Sequence, residues 1–331
     1  MPESTAEHAD LRLAQIRIWL KDLLKSDDFS LAPASADASF RRYFRVSHAG
    51  STNIVMDAPP AQEDSAPFVR IAGLFADANV HVPKVVAQDL ERGFLLLTDL
   101  GRQTYLNVIT PDNADALFKD AIQALLDWQC ASRPNVLPEY DAPELLRELQ
   151  LFPDWYIARH KQITLSSTEH QNLDGLFQII IEKAQAQAQV YVHRDYMPRN
   201  LMLSKPNPGV LDFQDARYGP IAYDVLSLFK DAFISWPQER VSQWTEQYWQ
   251  AARDRDLPVP VNFDDFQHDV DWIGVQRHLK VLGIFARIHH RDGKPQYLQD
   301  APRFLNYLMP VVAKYPELAP LGDLLKKLEG Q

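Results

Sequence analysis

Apolar residues recur along this chain at two different spacings, and the spacing changes near residue 100. Before that point, short apolar runs separated by polar turns are typical of β-strands, and two longer segments repeat their apolar residues at the period of an amphipathic helix. The predicted strands are 42–47, 53–57, 85–87 and 94–97, and the predicted helices are 8–25 and 67–79. The pattern indicates a β-rich region at the start of the chain.

From residue 113 onward the helical period dominates. Between 188 and 221 it gives way to short apolar runs and turn-forming residues. We therefore predict an α+β chain, with a small sheet-containing region followed by a larger and mainly helical one. The predicted helices of the second region are 113–131, 143–160, 168–188, 221–235, 238–254, 264–291 and 300–313.

The interruption of the helical pattern contains a predicted hairpin. Residues 200–203 and 210–213 are mostly apolar, and the segment that joins them is rich in turn formers. Antiparallel pairing across this turn puts Asn200 and Asp212 at the same open end, one residue out of register. Because neighbouring strands lie roughly 5 Å apart, both side chains could reach one ion. The short apolar strand 190–192 delivers the next acidic residue to that end.

A motif with chemical meaning overlaps this hairpin. H-R-D-x-x-x-x-N runs from His193 to Asn200, and D-F follows at Asp212. Phosphoryl transfer requires an oriented acceptor hydroxyl and neutralised phosphates, so we predict Asp195 as the general base and Asn200 and Asp212 as oxygen ligands of Mg²⁺. Each half of the motif alone would be a chance match, but the hairpin that joins them favours a metal–phosphate site. His193 is interpreted as a packing residue.

Composition is that of an ordinary soluble enzyme. The net charge of −10 disfavours a broad nucleic-acid surface, which needs clustered Lys and Arg. No apolar run approaches the roughly 20 residues that span a bilayer, and the first residues lack the features of a signal peptide, so we expect a cytoplasmic protein that makes no membrane contact. Cys130, the only cysteine, is predicted to be buried in helical packing. The sequence does not determine the oligomeric state and is compatible with a monomer.

The catalytic motif and the residues behind it, 214–220 and 223–225, resemble the aminoglycoside phosphotransferase-like kinases of small molecules. Residues 36–45, 56–60 and 212–217 extend the resemblance to a bacterial branch of anomeric amino-sugar kinases. In this family an aspartate braces the catalytic loop from a helix, and Asp224 stands at that position. Asp215 is interpreted as the cap of a turn, with a metal ligand as the alternative.

The resemblance implies a bilobal, protein-kinase-like fold, with a small N-lobe that contains an antiparallel sheet and a larger, mainly helical C-lobe. The implied limits are 1–98 for the N-lobe, 99–102 for the hinge and 103–331 for the C-lobe. ATP and Mg²⁺ are the implied cofactors, with segment 35–44 covering the phosphates and the hinge backbone pairing with adenine. From composition alone, segment 35–44 could equally be a plain hairpin and the hinge segment an ordinary turn. The expected nucleotide-binding residues are Ser39, Phe40, Arg42, Arg45, Thr98, Asp99 and Leu100.

The chain departs from better-known kinases at the phosphate-binding lysine. Protein kinases carry a lysine on the third strand, paired with a helix glutamate. Here Met56 stands near that position, and the following predicted helix has no glutamate. An inactive kinase is one interpretation. Because the predicted base and both predicted metal ligands remain, we favour another, in which Arg42 or Arg45 supplies the missing charge.

The acceptor pocket is predicted on less specific grounds. Glu148 and Trp155 are seven residues apart in the predicted helix 143–160, and so share a face in the region where the family builds its acceptor site. With Arg199 of the catalytic motif they are the expected substrate contacts, although a tryptophan on a helix more often belongs to the core. The aromatic segment 229–236 is an alternative wall.

The branch resemblance implies ATP-dependent phosphorylation of the anomeric hydroxyl of N-acetylmuramate and N-acetylglucosamine, giving the sugar 1-phosphate, in the recycling of cell-wall peptidoglycan. Two alternatives stay open. One is another small-molecule kinase of the family, with an aminoglycoside, amino alcohol or homoserine as acceptor. The other is a non-catalytic nucleotide-binding module, which the missing lysine permits. The expected partner is a small molecule rather than nucleic acid.

Overall fold

The computed structural model describes residues 3–35 and 41–330, with the side chains of the first helix described from Leu11 onward. The chain divides into two compact units. The smaller consists of Met1–Arg102 and Met202–Gln214, and the larger of Gln103–Leu201 and Asp215–Gln331. One unit contains an antiparallel sheet and the other is mainly helical, which confirms the predicted α+β class.

A five-stranded antiparallel sheet forms the frame of the smaller unit, in the order β1-β2-β3-β5-β4. The four strands predicted from apolar runs are present, and β1 was missed. Because β1 contains Pro33, which cannot donate to a ladder, it belongs at an edge, where the structure places it. The strands are β1 (Ser30–Ser35), β2 (Arg42–His48), β3 (Ser51–Asp57), β4 (Val85–Asp89) and β5 (Phe94–Thr98).

Helix α1 (Glu3–Leu24) covers one face of this sheet, and α2 (Ala66–Asp77) connects β3 to β4. Both correspond to predicted helices. Ile16 and Leu20 of α1 are fully buried and pack with Val55 of the sheet in one apolar cluster. The apolar stripe of α1 therefore stabilises the sheet by removing that face from water.

The predicted hairpin is present in shorter form. Strands β7 (Leu201–Met202) and β8 (Gly209–Val210) make a two-stranded sheet. The segment after β8 belongs to the core of the smaller unit, because the ring of Phe213 lies 4.9 Å from that of Phe68 on α2. At Gly209 a Cβ atom would lie 2.8 Å from Leu100, so glycine permits this close approach. Packing thus fixes the chain at Gly209 and at Phe213, close to Asp212 on either side.

The larger unit is built from helices, most of them at their predicted positions. A further two-stranded antiparallel sheet joins β6 (Gln189–Val192) to β9 (Arg217–Pro220). The helices are α3 (Tyr105–Val108), α4 (Ala114–Cys130), α5 (Ala142–Leu149), α6 (Ser167–Ala186), α7 (Tyr223–Phe229), α8 (Gln238–Asp254), α9 (Phe263–Asp292), α10 (Ala301–Lys314) and α11 (Ala319–Glu329). Of these, α3 and α11 were not predicted.

Two predicted helices end early, each for a local reason. The helix predicted at 143–160 stops at Leu149 and is followed by a π-helix, Phe152–His160, whose wider turn begins beside Pro153. At Gly283 of α9 a Cβ atom would lie 2.3 Å from the backbone of Leu151, so the two chains are in close contact there. The helix predicted at 221–235 ends at Phe229.

The second early end follows from one carboxylate. Asp231 accepts hydrogen bonds from the backbone N–H groups of Phe233 (2.6 Å) and Ile234 (2.8 Å). Such a side-chain acceptor competes with the helical ladder and favours a turn.

The prediction for Cys130 is also wrong, because this residue ends α4 and is exposed. Within the described residues, no helix is long and apolar enough to cross a membrane.

Candidate active site

The predicted catalytic loop follows strand β6 in the larger unit, and a buried aspartate holds its backbone. Asp224, in the first turn of α7, accepts hydrogen bonds from the N–H groups of His193 (2.6 Å) and Arg194 (3.0 Å). Burial raises the pKa of Asp224 to about 7, even though both N–H groups act to lower it. These contacts confirm the brace that the family resemblance implied.

His193 is fully buried, and its ring lies 5.9 Å from that of Trp128 and 5.8 Å from that of Tyr196. Its Nδ1 accepts a hydrogen bond from the backbone N–H of Asp195 at 3.3 Å. The histidine therefore packs beneath the loop, as predicted.

The loop brings Asp195 and Asn200 together. Asn200 ends a short 3₁₀-helix, Pro198–Asn200, and its Nδ2 donates to the backbone oxygen of Asp195 at 2.9 Å. Its own N–H donates to the backbone oxygen of Met197 at 2.8 Å. Because the amide NH₂ group is a donor, the carbonyl oxygen Oδ1 is the atom with which Asn200 could bind a cation.

Asp212 lies in the smaller unit, directly before the buried ring of Phe213. Its carboxylate is exposed and accepts a hydrogen bond from Gln214 Nε2 at 2.8 Å. Its φ of 65° is in the left-handed region, which is uncommon for a residue other than glycine, although aspartate and asparagine adopt it more readily than most. Unusual backbone of this kind is often found at functional sites.

Of the expected nucleotide residues, Ser39 and Phe40 lie outside the described residues. The other five belong to the smaller unit. Arg45 donates to both carboxylate oxygens of Asp99, at 2.6 and 3.0 Å, and also to the backbone oxygen of Gly101. Although burial acts to raise it, the pKa of Asp99 is lowered by hydrogen bonds from Arg45 and Gly101. This ion pair orders the segment that was predicted as the hinge.

The neighbours of Asp99 are also held inside the unit. Thr98 Oγ1 accepts a hydrogen bond from the N–H of Lys84 at 2.9 Å, and Leu100 is buried. The side chains of this segment are thus engaged in structure. Any pairing with an adenine would use its backbone, as the family resemblance implies.

Arg42 takes part in a cluster that the sequence did not reveal in full. Asp57, at the end of β3, is completely buried and is opposite Arg42 of β2 in the strand register. It accepts hydrogen bonds from Arg42 Nε at 2.9 Å and from Arg12 Nε of α1 at 2.8 Å. Two cations thus share one carboxylate, and Arg42 is the more exposed of the two, at 32% against 11% for the side chain of Arg12. In the sequence, the only indication of this cluster is that the apolar strand 53–57 ends in a charged residue, Asp57.

The expected acceptor residues do not form one surface of a single α-helix. Glu148 is on α5, whereas Trp155 is in the π-helix and partly exposed, so the predicted common face is wrong. Glu148 is buried and accepts hydrogen bonds from the side chains of Tyr140, Arg194 and Gln276.

Arg199 lies on the aromatic segment that was the alternative wall. Its guanidinium carbon is 5.0 Å from the centroid of the Phe233 ring. The backbone around that ring is held from α10, because Arg303 donates to the oxygen of Phe233 (3.1 Å) and Tyr307 to the oxygen of Ile234 (3.3 Å). Residues 231–235 are therefore an ordered support beside the catalytic loop.

Comparison with known proteins shows the family of this chain. Residues 30–260 match the model of the phosphotransferase enzyme family. The chain is 54% identical to an N-acetylmuramate/N-acetylglucosamine kinase of Pseudomonas aeruginosa, over 96% of this chain and 97% of the relative. It is 46% identical to a kinase of the same name from Neisseria meningitidis, over 96% of each chain.

Solved structures show the same fold at low identity. Choline kinase LicA from Streptococcus pneumoniae has a TM-score of 0.63 and 13% identity, with 91% of this chain and 99% of that chain covered. The gentamicin complex of APH(2")-IIa has a TM-score of 0.60 and 15% identity, with coverages of 88% and 95%. Family model, near full-length relatives and fold agree: the chain is a kinase that belongs to the phosphotransferase enzyme family.

Proposed function

We propose that this chain is an ATP-dependent kinase that phosphorylates the anomeric hydroxyl of N-acetylmuramate and of N-acetylglucosamine. The observation that carries the substrate assignment is the near full-length identity, 54% and 46%, with kinases named for those two sugars. The product would be a sugar 1-phosphate, which suits a role in peptidoglycan recycling in the cytoplasm.

Asp195 is the proposed general base. Its carboxylate would orient the acceptor hydroxyl and receive its proton as the oxygen bonds to the γ-phosphorus of ATP and the bond from that phosphorus to the β,γ-bridging oxygen breaks. The proton then passes to solvent. Because an anomeric hydroxyl is more acidic than an ordinary alcohol, orientation is the larger part of this work. Two hydrogen bonds support that role because they fix the backbone on both sides of Asp195: Arg194 N–H donates to Asp224, and Asn200 Nδ2 donates to the backbone oxygen of Asp195.

Asn200 and Asp212 are the proposed ligands of Mg²⁺. An amide oxygen and one carboxylate are a donor set that suits this hard cation, which usually takes only one or two carboxylates from a protein. When bound, the ion would neutralise charge on the phosphates. The assignment rests on the predicted hairpin spacing, and the hydrogen bond from Asn200 Nδ2 to the backbone oxygen of Asp195 supports it by restraining the side chain of Asn200.

Nucleotide binding is proposed for the smaller unit, with residues 99–102 as the hinge between an N-lobe and a C-lobe, and the backbone of Thr98, Asp99 and Leu100 pairing with adenine. Ser39 and Phe40 are proposed to cover the phosphates. Because Asp99 already neutralises Arg45, that arginine is better suited to order the hinge than to bind phosphate.

Arg42 is the better candidate to replace the missing lysine. Asp57 is shared by Arg42 and Arg12, and Arg42 is the more exposed of the two arginines. In other kinases, too, a carboxylate holds the cation in place, since the strand lysine is paired with a helix glutamate. Here the two partners would lie on neighbouring strands, with Arg12 balancing the buried carboxylate.

Arg42→Ala is expected to raise the KM for ATP by about 10- to 100-fold, the scale of a lost charge-assisted hydrogen bond. Asp57 retains Arg12, so the variant should fold. Arg45→Ala should instead lower the melting temperature, because it leaves Asp99 without its cation. Steady-state kinetics and thermal melts measure both effects, with Arg17→Ala, on the exposed side of α1, as the matched control. Unchanged nucleotide kinetics in both Arg42→Ala and Arg45→Ala would rule out the replacement.

On the acceptor side, Arg199 and Trp155 remain the proposed sugar contacts. The Arg199 guanidinium lies over the ring of Phe233, in the ordered segment 231–235. A guanidinium is a planar group of N–H donors, which suits recognition of oxygen atoms of a ligand. The buried Glu148 is less suited to contact a sugar, because side chains of the protein already bind both of its oxygens.

An acceptor panel tests the proposed function. The protein with ATP and Mg²⁺ should consume ATP in the presence of N-acetylmuramate and N-acetylglucosamine, and the product phosphate should be labile to mild acid, as expected of a glycosyl phosphate. Turnover only with an aminoglycoside, an amino alcohol or homoserine would assign another member of the family. No turnover with any acceptor would favour a non-catalytic nucleotide-binding module.

A further inference from the structure

A buried ionic network lies directly beside the proposed catalytic base. Glu148 of α5 forms an ion pair with Arg194 and another, at 2.9 Å, with Lys280 of α9. Its second oxygen accepts hydrogen bonds from Gln276 Nε2 at 3.0 Å and from the hydroxyl of Tyr140. The network therefore joins α5 and α9 to residue 194 of the catalytic loop.

Two cations share the single carboxylate of this network. Burial acts to raise the pKa of Glu148, but Lys280 and Arg194 outweigh it and lower the pKa to about 2. Burial likewise acts to lower the pKa of Arg194 and of Lys280, but Glu148 raises both. All three groups are therefore ionised at neutral pH. Removing Glu148 would leave two buried cations without the carboxylate that they share, which is strongly unfavourable.

The network acts on an unusual point of the backbone. Arg194 has a φ of 77°, in the left-handed region that a long side chain rarely adopts, and it immediately precedes Asp195. Contacts at both ends of the residue hold it there: its N–H donates to Asp224, and its guanidinium is paired with Glu148, with Glu144 3.7 Å away. A strained conformation persists only where the surroundings determine it, so these contacts bear on the direction in which the next residue points.

Resting on the proposed function, we propose that Glu148 and Lys280 are positioning residues, which hold Arg194 in its left-handed conformation and thereby aim Asp195 at the acceptor hydroxyl. Glu148 would not contact the sugar. Lys280 provides the second positive charge and also donates to the hydroxyl of Tyr223 at 3.1 Å, next to the brace Asp224. Helices α5 and α9 would thus determine the conformation of the catalytic loop through Glu148 and Lys280.

The test separates positioning from substrate binding. Glu148→Gln keeps the shape of the side chain but removes its charge and one of its two acceptor oxygens. It should lower kcat by about 10- to 100-fold, on the scale of a small misplacement of a catalytic group, with the KM values for sugar and ATP close to wild type. Lys280→Met should reduce kcat in the same way, and Lys280→Arg should restore part of it. Glu182→Gln, on the exposed side of α6, is the control.

A double variant shows whether the network acts through Arg194. If it does, Glu148→Gln combined with Arg194→Met should be no slower than the slower single variant, because residues that act as a unit are not additive. Thermal melts and circular dichroism confirm that each variant is folded at the assay temperature. If Glu148→Gln does not fold, Lys280→Met and Lys280→Arg carry the test.

Each outcome bears on one proposal. Wild-type protein that is inactive with both sugars would overturn the proposed function. In an active wild-type background, a lower melting temperature with unchanged kcat in the folded variants would overturn the positioning role and leave the function standing. A KM for the sugar that rises while kcat is retained would return Glu148 to the acceptor pocket.

Discussion

Replacing Asp195 with asparagine is expected to lower kcat by about 10²- to 10⁴-fold, the range typical of a lost general base. The amide has nearly the shape of the carboxylate but cannot take a proton from the acceptor hydroxyl. The backbone oxygen of residue 195 would still accept the hydrogen bond from Asn200, so the loop should stay folded. The KM for ATP should therefore remain close to its wild-type value.

The measurement is steady-state turnover with saturating ATP, Mg²⁺ and N-acetylglucosamine. Asp174→Asn is a suitable control, because Asp174 is exposed on α6. A product that is unchanged but formed more slowly would fit the assigned role. Turnover of Asp195→Asn within a few-fold of wild type would remove Asp195 as the base.

Asp212→Asn should have an effect of similar size but of a different kind. Asparagine adopts the left-handed backbone that residue 212 requires, so this change removes the charge with little strain, whereas alanine would add strain. Loss of a carboxylate ligand should lower kcat/KM for ATP by about 100-fold or more, as expected for a preorganised electrostatic partner of the phosphates. The Mg²⁺ concentration for half-maximal activity should rise.

A titration of activity against Mg²⁺ at fixed ATP measures the change. Asp215→Asn is the informative comparison, because Asp215 is exposed three residues later and was predicted to cap a turn, with a metal ligand as the alternative. A shifted Mg²⁺ requirement in Asp215→Asn alone would move the ligand assignment to that residue. If the Mg²⁺ requirement is unchanged in both variants, neither carboxylate binds the metal and the proposed contact is wrong.

Local patterns in the sequence were sufficient for most of the secondary structure. Strong periodicity located α8 and α9, and the apolar runs located four of the five strands in the larger sheet. Errors arose where one contact overrides the pattern. The carboxylate of Asp231 captures two N–H groups and ends α7, and Pro153 with the close approach at Gly283 accompanies the change from α- to π-helix.

The candidate site was predicted unevenly for a similar reason. The catalytic motif is local in sequence, so Asp195, Asn200 and Asp212 could be proposed from spacing alone. Glu148 was placed in a sugar pocket because its partners are distant along the chain: Arg194 is 46 residues away and Gln276 is 128. No pattern along a single sequence shows that such residues meet, and the same holds for the pairing of Arg12 with Asp57.

The smaller unit is not one continuous piece of chain, and this affects how it can form during synthesis. Its sheet and α2 are complete by residue 102, but Phe213, which packs against Phe68 and Phe75, emerges from the ribosome more than a hundred residues later. A nascent chain arrested before residue 214 should therefore remain sensitive to proteases, and a truncation at residue 102 should aggregate. Fusing residues 202–214 to that fragment through a flexible linker should rescue its solubility.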